Sequence, residues 1–405
     1  MLKFIEHIDG KTHDEFIQTS PYCSLLQSSK WACIKDNWNH EIVGVKKDDE
    51  LVASALVLIK PLPLHMSMMY IPRGPVMDFN DVELIRFFFD NLKQWAKKYH
   101  TLFIKLDPNI HVKDYKLEEV MENYYDGTYQ IIDNLKQGNL IHQGFTTYME
   151  ESIQPRFQAN VYKCDNFEES LPRHTKRLVK DALKHHVQVE KADISALNQF
   201  AEVVKKTENR KNVSLRNYEY FDKLMKIYGD DAYLFLAKVN IEKTLNDLYQ
   251  QQEDNSKDLA SLKQNSPKKE RRLLDIKASL EKSIAEFESF NDEYQGDTVI
   301  AGILSVKFGN TMEMLYAGMD EHFKKFMPQY YLYIENMKYG FDHGCDYANM
   351  GGIEGDLNDG LTQFKSNFNP MINEYIGEFD LPVNGLLYHL SKKAYTFRKK
   401  RNLKK

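Results

Sequence analysis

The side chains best suited to chemistry fall into none of the compact patterns that metal, nucleotide or serine chemistry requires. Four cysteines, Cys23, Cys33, Cys164 and Cys345, lie far apart without CxxC or Cys/His spacing, and read as reduced thiols. His142 stands alone and His185 and His186 are adjacent, so they lack ligand spacing and read as surface histidines. There is no GxxxxGK(S/T) loop to cradle phosphate, no GxGxxG after a strand, no HExxH and no GxSxG elbow. No metal and no cofactor is therefore expected. Two basic stretches stand out. Arg173 to His186 crowds Arg, Lys and His onto one predicted helix whose buried side would be Leu178, Val179, Ala182 and Leu183. Lys392 to Lys405 is rich in Lys and Arg, with Tyr395 and Phe397 interleaved. The first suits a solvated face as well as a binding one. The second suits an anionic partner, either RNA phosphate or anionic lipid headgroups.

The frame that positions such groups is large. A chain of 405 residues, 42% hydrophobic and 28% charged, is globular and long enough for two or three domains. A formal net charge of -5 argues against a general nucleic-acid binder, so any RNA contact must come from a local patch. The first residues, Met1 to His7, lack the apolar core and cleavage site of a signal peptide, and no window reaches the length of a spanning helix.

Two stretches repeat one order of elements. In the first, Ile42 to Val45 and Leu51 to Ile59 read as a hairpin and Met66 to Ile71 as a further strand. A helix capped by Asn80 or Asp81 follows, with Leu84, Ile85, Phe88, Leu92, Trp95, Ala96 and Tyr99 at helical spacing. Thr101 to Leu106 is a strand stopped by Asp107-Pro108. In the second, Tyr233 to Val239, Thr298 to Val306 and Met312 to Leu315 are strands. Pro328 opens a helix bearing Tyr331, Ile334, Met337 and Phe341, and Tyr347 to Met350 is the closing strand. Strand, strand, strand, helix, strand in both halves indicates duplication. An insertion interrupts the second half. Ile241, Leu245, Leu248, Gln252, Asn255, Leu259 and Leu262 form one heptad seam. Leu273, Ile276, Leu280, Ser283, Phe287, Phe290 and Tyr294 form another, so residues 241–296 predict an antiparallel coiled-coil arm. The expected division is 1–152 joined by 385–405, and 153–384 carrying the arm.

The repeated order resembles the GNAT acyltransferase fold, giving an α/β (α+β) class with two GNAT-like domains. Members of that fold hold acyl-CoA on an RxxGxG/A turn. Arg73-Gly74-Pro75-Val76-Met77-Asp78 and Gly318-Met319-Asp320-Glu321-His322 stand there instead, which argues against acetyl-CoA as donor.

Several segments together carry a more specific resemblance: Leu26-Gln27-Ser28-Ser29-Lys30-Trp31 with Lys35 and Trp38, Tyr70-Ile71-Pro72-Arg73-Gly74-Pro75-Val76-Met77-Asp78, Lys105-Leu106-Asp107-Pro108, Gln154-Pro155-Arg156, Asn209-Arg210-Lys211 with Arg216, and Phe364-Lys365. With the arm, they resemble the Fem family of peptidoglycan interpeptide-bridge aminoacyltransferases over essentially the whole chain, most closely lipid II branching enzymes of the MurM and MurN type. The resemblance implies transfer of Ala, Ser or Gly from aminoacyl-tRNA to the stem-peptide lysine of lipid II, or to a residue already attached there. It places the protein in the cytoplasm, peripheral to the inner membrane face. Ester aminolysis asks the protein to juxtapose substrates, free an amine and stabilise an oxyanion.

The resemblance implies that Lys35, Trp38, Asp78, Arg216, Tyr220 and Tyr316 line the muropeptide cleft. Lys365 would stabilise negative charge, and Asp107 would be the base or amine-orienting group. Each also fits a plainer role: Trp38 as core, Asp78 and Asp107 as caps, Lys365 as a surface lysine. Relatives often have two tyrosines after the arginine where this chain has Tyr220-Phe221, which removes one hydroxyl. The arm and the basic helix are candidates for holding tRNA. The other readings are a non-catalytic membrane-proximal scaffold and a CoA-dependent N-acyltransferase.

Overall fold

Two mixed sheets form the body of a computed structural model that describes residues 1–392 except 36, 120–122, 212–215, 263–266, 292 and 295. The basic stretch from residue 393 onward lies outside the described residues. In the first half, β1 (Leu2–Ile5), β2 (Asn39–Lys47), β3 (Glu50–Pro61) and β4 (Ser67–Ile71) run antiparallel in sequence, with β5 (Val76–Met77) beside β3. The helix Val82–Lys97 then returns the chain so that β6 (Thr101–Leu106) lies parallel to β4. Asp81, not Asn80, caps that helix by accepting from the Leu84 N–H at 2.9 Å. The buried stripe from Leu84 to Ala96 packs it onto the sheet.

The second half repeats the scheme. After β7 (His111–Lys116), β8 (Ile141–His142) and β9 (Phe157–Tyr162), strands β10 (Gln188–Ala192), β11 (Ala232–Asn240), β12 (Asp297–Phe308) and β13 (Thr311–Met319) run antiparallel. The helix Pro328–Asp342 brings β14 (Tyr347–Ile353) parallel to β13. The parallel pairing lasts only from Thr311–Tyr347 to Glu313–Asn349, and a bulge at Leu304/Ser305 bends β13 away. A fork opens between the two strands there.

The halves exchange segments. β15 (Met371–Tyr375) lies between β9 and β7 in the second sheet, whereas β16 (Phe379–Pro382) lies between β6 and β8 in the first. The chain therefore returns to the first sheet at Phe379, earlier than the expected 385, and β7, expected in the first domain, belongs to the second sheet. Local patterning shows that a strand exists but not which sheet edge receives it. A third core joins the halves: Trp31, Leu56 and Tyr70 from one pack with Phe200, Phe221, Leu234 and Leu304 from the other.

At Gly318 on β13 an added Cβ would meet backbone atoms of Val204 at 2.6 Å, so the helix Leu197–Lys211 rests directly on the strand. Gly318→Val is expected to cost roughly 1–3 kcal/mol by overpacking and to lower the melting temperature. An unchanged melt would show that the helix is free to retreat.

The inserted arm is a helical hairpin of Ile241–Ala260 and Pro267–Asn291. Ile241, Leu245, Leu248, Leu273, Leu280 and Phe287 are buried as the seams require. The second seam differs in detail, because Ile284 is buried where Ser283 was expected and Ile276 is exposed. Asn255 is buried, with Nδ2 donating to the Leu273 carbonyl at 3.2 Å and Oδ1 without a partner. On the basic helix Arg173–Lys184, Leu178 and Ala182 are buried, but Leu183 is exposed and Thr175 takes the inward place.

Candidate active site

The fork between β13 and β14 opens into a cavity of about 230 Å³ lined from both halves. Larger hollows, such as that beside Leu64 and Lys97, are shallow surface features built from one half. Arg73, Asn109 and Gln154 line one side of the cavity, and Glu313, Asn349, Gln158, Tyr347 and Tyr375 the other. The second wall is a hydrogen-bonded ladder. Gln158 Oε1 accepts from Asn349 Nδ2 at 2.8 Å and from the Tyr375 hydroxyl at 2.9 Å, while Asn349 Oδ1 accepts from the Gly351 N–H at 2.7 Å. These bonds fix the polar groups before any substrate arrives.

Arg73 comes from the loop after β4, in a left-handed conformation with φ 51°. Its guanidinium lies 4.0 Å from the centre of the Tyr375 ring and donates through Nη2 to the Pro155 carbonyl at 2.7 Å. Behind it sits Asp107, only 2% exposed. Asp107 Oδ1 accepts from the Tyr70 hydroxyl and from the Arg73 N–H, both at 3.0 Å, while Oδ2 has no hydrogen bond and lies 3.8 Å from Arg73 Nη1. Burial pushes its carboxyl up to about 6, against the pull of Arg73. Asp107 does not line the cavity; it holds the residue that does.

Lys365 approaches from the opposite side. Asp359 caps its short helix, Gly360–Ser366, accepting from the N–H groups of Leu361 and Thr362 at 2.7 and 3.1 Å. Lys365 is 5% exposed, so it is no surface lysine, and its Nζ donates to the Gly352 carbonyl at 2.7 Å. Gly351 and Gly352 are cavity wall, which puts the ammonium behind that backbone. Asp107 and Lys365, 258 positions apart in the chain (365 − 107), thus flank one cavity.

Most of the other expected residues form a second cluster, also fed by both halves. Lys35 ends the helix Ser29–Ile34 with Nζ 5.1 Å from the Trp31 ring centre, and burial, then the charge of Arg216, lowers its pKa. Arg216 is exposed and lies 5.0 Å from the Tyr220 ring centre. The Tyr316 hydroxyl donates to the Tyr220 hydroxyl at 3.0 Å, and burial raises the Tyr220 pKa. Trp38 is half-buried at the edge of the joining core, with Lys60 Nζ 5.4 Å from its ring centre. Asp78 stands apart. It is exposed, and its carboxylate accepts from the Asn80 N–H at 2.9 Å, which is the capping role.

With that geometry in place, comparison with known proteins is decisive at the level of family. The FemAB family model matches residues 8–396. The chain belongs to the FemAB family. It is 28% identical over 408 residues to a lipid II:glycine glycyltransferase of Staphylococcus aureus strain COL, covering 95% of this chain and 94% of that one. The enzyme of the same description from strain MRSA252 is 29% identical over 411 residues with the same coverage. Among solved structures, the crystal structure of FemX superposes with a TM-score of 0.78 at 28% identity, over 96% of this chain and 99% of that one.

Sequence reasoning about this FemAB-family chain missed Glu313, Gln158, Asn349 and Tyr375 as site residues, and quoted Arg73 only within a motif. Glu313 did leave a signal: it is the one charge in the otherwise strand-like run Thr311-Met312-Glu313-Met314-Leu315-Tyr316. His185 was also misjudged, because it is half-buried and stacks on Phe326 at 4.5 Å between ring centres.

Proposed function

We propose that this FemAB-family protein transfers Ala, Ser or Gly from aminoacyl-tRNA to lipid II, on the stem-peptide lysine or a residue already attached to it, by ester aminolysis. One observation carries the reading: β13 serves both clusters. Glu313 lines the cavity at the fork, and Tyr316, three residues on, bonds to Tyr220 in the Lys35–Arg216 cluster. A diphosphate or carboxylate of a long anionic acceptor would bind Lys35 and Arg216, with Trp38 and Tyr220 as packing surfaces. Its amine would then reach the cavity. Lys365 supplies positive charge beside the reacting carbonyl, and Asp107 positions Arg73. The ester is already activated, so juxtaposition and electrostatics suffice.

Location at the inner membrane face is supported by the C-terminal helix over 385–392, where Leu386 and Leu390 are exposed next to the basic tail. No helix among the described residues is long and apolar enough to cross a membrane. The helical arm and the basic helix are the surfaces offered to tRNA.

The deciding experiment is transfer of radiolabelled Gly, Ala and Ser from charged tRNA to lipid II, with and without one residue preinstalled on the lysine. Product that depends on tRNA supports the reading, and no product from folded protein rejects it. Within that assay, Lys35→Met and Arg216→Met should each raise KM for lipid II about tenfold or more with a smaller effect on kcat, since a charge-assisted hydrogen bond contributes roughly 1.5–3 kcal/mol. An unchanged KM in both would remove the cleft from acceptor binding.

A further inference from the structure

We propose that Glu313 is the proton acceptor of the transfer reaction, its carboxylate receiving the ammonium of the acceptor substrate in the cavity at the strand fork. The inference rests on the aminoacyl-transfer reading above.

Glu313 is the only carboxylate among the described residues that line this cavity. It is the last residue of β13 paired with β14, so its backbone is fixed on the closed side of the fork while the side chain faces the open side. It is half-buried, and it lines the cavity. Asn349, held by Gln158, hydrogen-bonds to it. Among the described residues no cation forms an ion pair with it, because the nearest guanidinium, that of Arg73, is committed to Pro155, Tyr375 and Asp107. Even a half-buried carboxylate without a counter-ion is partly desolvated at a cost to the fold, and a substrate ammonium would offset that cost. The cavity has room for the end of an alkylamine or a glycyl unit, not for a nucleotide or a sugar chain.

The chemistry balances without a co-reactant. The acceptor ammonium gives one proton to Glu313, which passes it to water. The freed nitrogen lone pair forms the N–C bond to the ester carbonyl, whose oxygen takes up negative charge near the Gly351–Gly352 wall, with the Lys365 ammonium behind it. Collapse of the intermediate breaks the C–O bond to the ribose, and the second proton leaving nitrogen ends on the ribose oxygen.

Glu313 is also poised for the task. Burial pushes its carboxyl up to about 7, with the Asn349 hydrogen bond and the Arg73 charge acting the other way. The other titratable groups facing it are Cys23, which burial pushes up to about 12, and Tyr347 and Tyr375, which burial also raises. Lys365 stands behind the Gly351–Gly352 wall. Glu313 is thus the group lining the cavity that titrates near neutrality, while Asp107, behind Arg73, is raised only to about 6, and kcat/KM is expected to rise with pH and level off above about 7.

The test is the pH profile of transfer from glycyl-, alanyl- or seryl-tRNA to lipid II by wild type, Glu313→Gln and Glu313→Asp. Glu313→Gln should lose about 100-fold or more in kcat/KM, and the rising limb near neutrality should vanish. Glu313→Asp should regain part of the rate with a shifted limb, and supplies the test by itself should the Gln variant misfold. A Gln variant with wild-type rate and limb would overturn the proposal. So would a variant that keeps the limb and only raises KM for the charged tRNA, which would assign the carboxylate to the donor's α-ammonium. If wild type transfers nothing, the parent reading falls and this one with it; if wild type transfers and the variant matches it, this one falls alone.

Discussion

Replacing Lys365 by methionine is expected to lower kcat about 10²- to 10³-fold while leaving KM for both substrates within a few-fold. The magnitude is that of removing one preorganised group that stabilises an oxyanion, and the change keeps the aliphatic stem that fills the site. The geometry makes Lys365 a fixed charge rather than a mobile one. Its helix is capped by Asp359, the neighbouring Phe364 packs against Tyr330, Tyr333 and Phe368, and Nζ is tied to the Gly352 carbonyl. Methionine loses that charge-assisted hydrogen bond, at roughly 1.5–3 kcal/mol of stability, so the protein should stay folded with a lowered melting temperature while turnover collapses. Arginine should not rescue, because a 5% exposed site shaped for an ammonium lacks room for a guanidinium. Steady-state kinetics on the methionine variant decide the matter: retention of kcat would reduce Lys365 to a brace for the β14 backbone.

At Asp107 two substitutions should part company. Asp107→Ala leaves the buried Tyr70 hydroxyl and the Arg73 N–H without an acceptor, which costs roughly 2–4 kcal/mol and lets the Arg73 loop shift. Asp107→Asn keeps an oxygen for both donors. The carboxyl sits at about 6 in the fold against an ordinary value of 3.8, so between those values the folded state holds more protons than the unfolded one. Stability therefore falls as pH rises through that window, and above it the charge costs on the order of 3 kcal/mol. Above pH 7 the Asn variant should melt at or near the wild-type temperature, since it loses that cost along with the attraction to Arg73. Its activity should stay within about fivefold, whereas the Ala variant should be impaired in both stability and turnover. A folded Asn variant with turnover down about 100-fold would give Asp107 the base role and take it from Glu313.

How much of this was legible beforehand depended on whether the determining physics was local. The strand and helix repeat came from hydrophobic periodicity, and the helix Pro328–Asp342 began at its proline as read. The arm was visible because a seam between two neighbouring helices is written in the heptads themselves. The second seam was misread at Ser283 because a heptad sits beside an equally spaced alternative, Ile284, and only packing chose between them. The Fem-type motifs brought Lys35, Arg216, Asp107 and Lys365 into view but not their arrangement.

The sequence by itself determined the elements, the duplication, the inserted arm and the residue types from which a site could be built, because each depends on residues within a few turns of one another. Tertiary structure decided the rest. The exchange of β7 and β16 between sheets, the fork after Glu313 and the meeting of Arg73 with Tyr375 depend on pairings across hundreds of residues. Whether Glu313 is a solvated strand carboxylate or a half-buried one raised to about 7 depends on what the other half places over it, and no local pattern contains that.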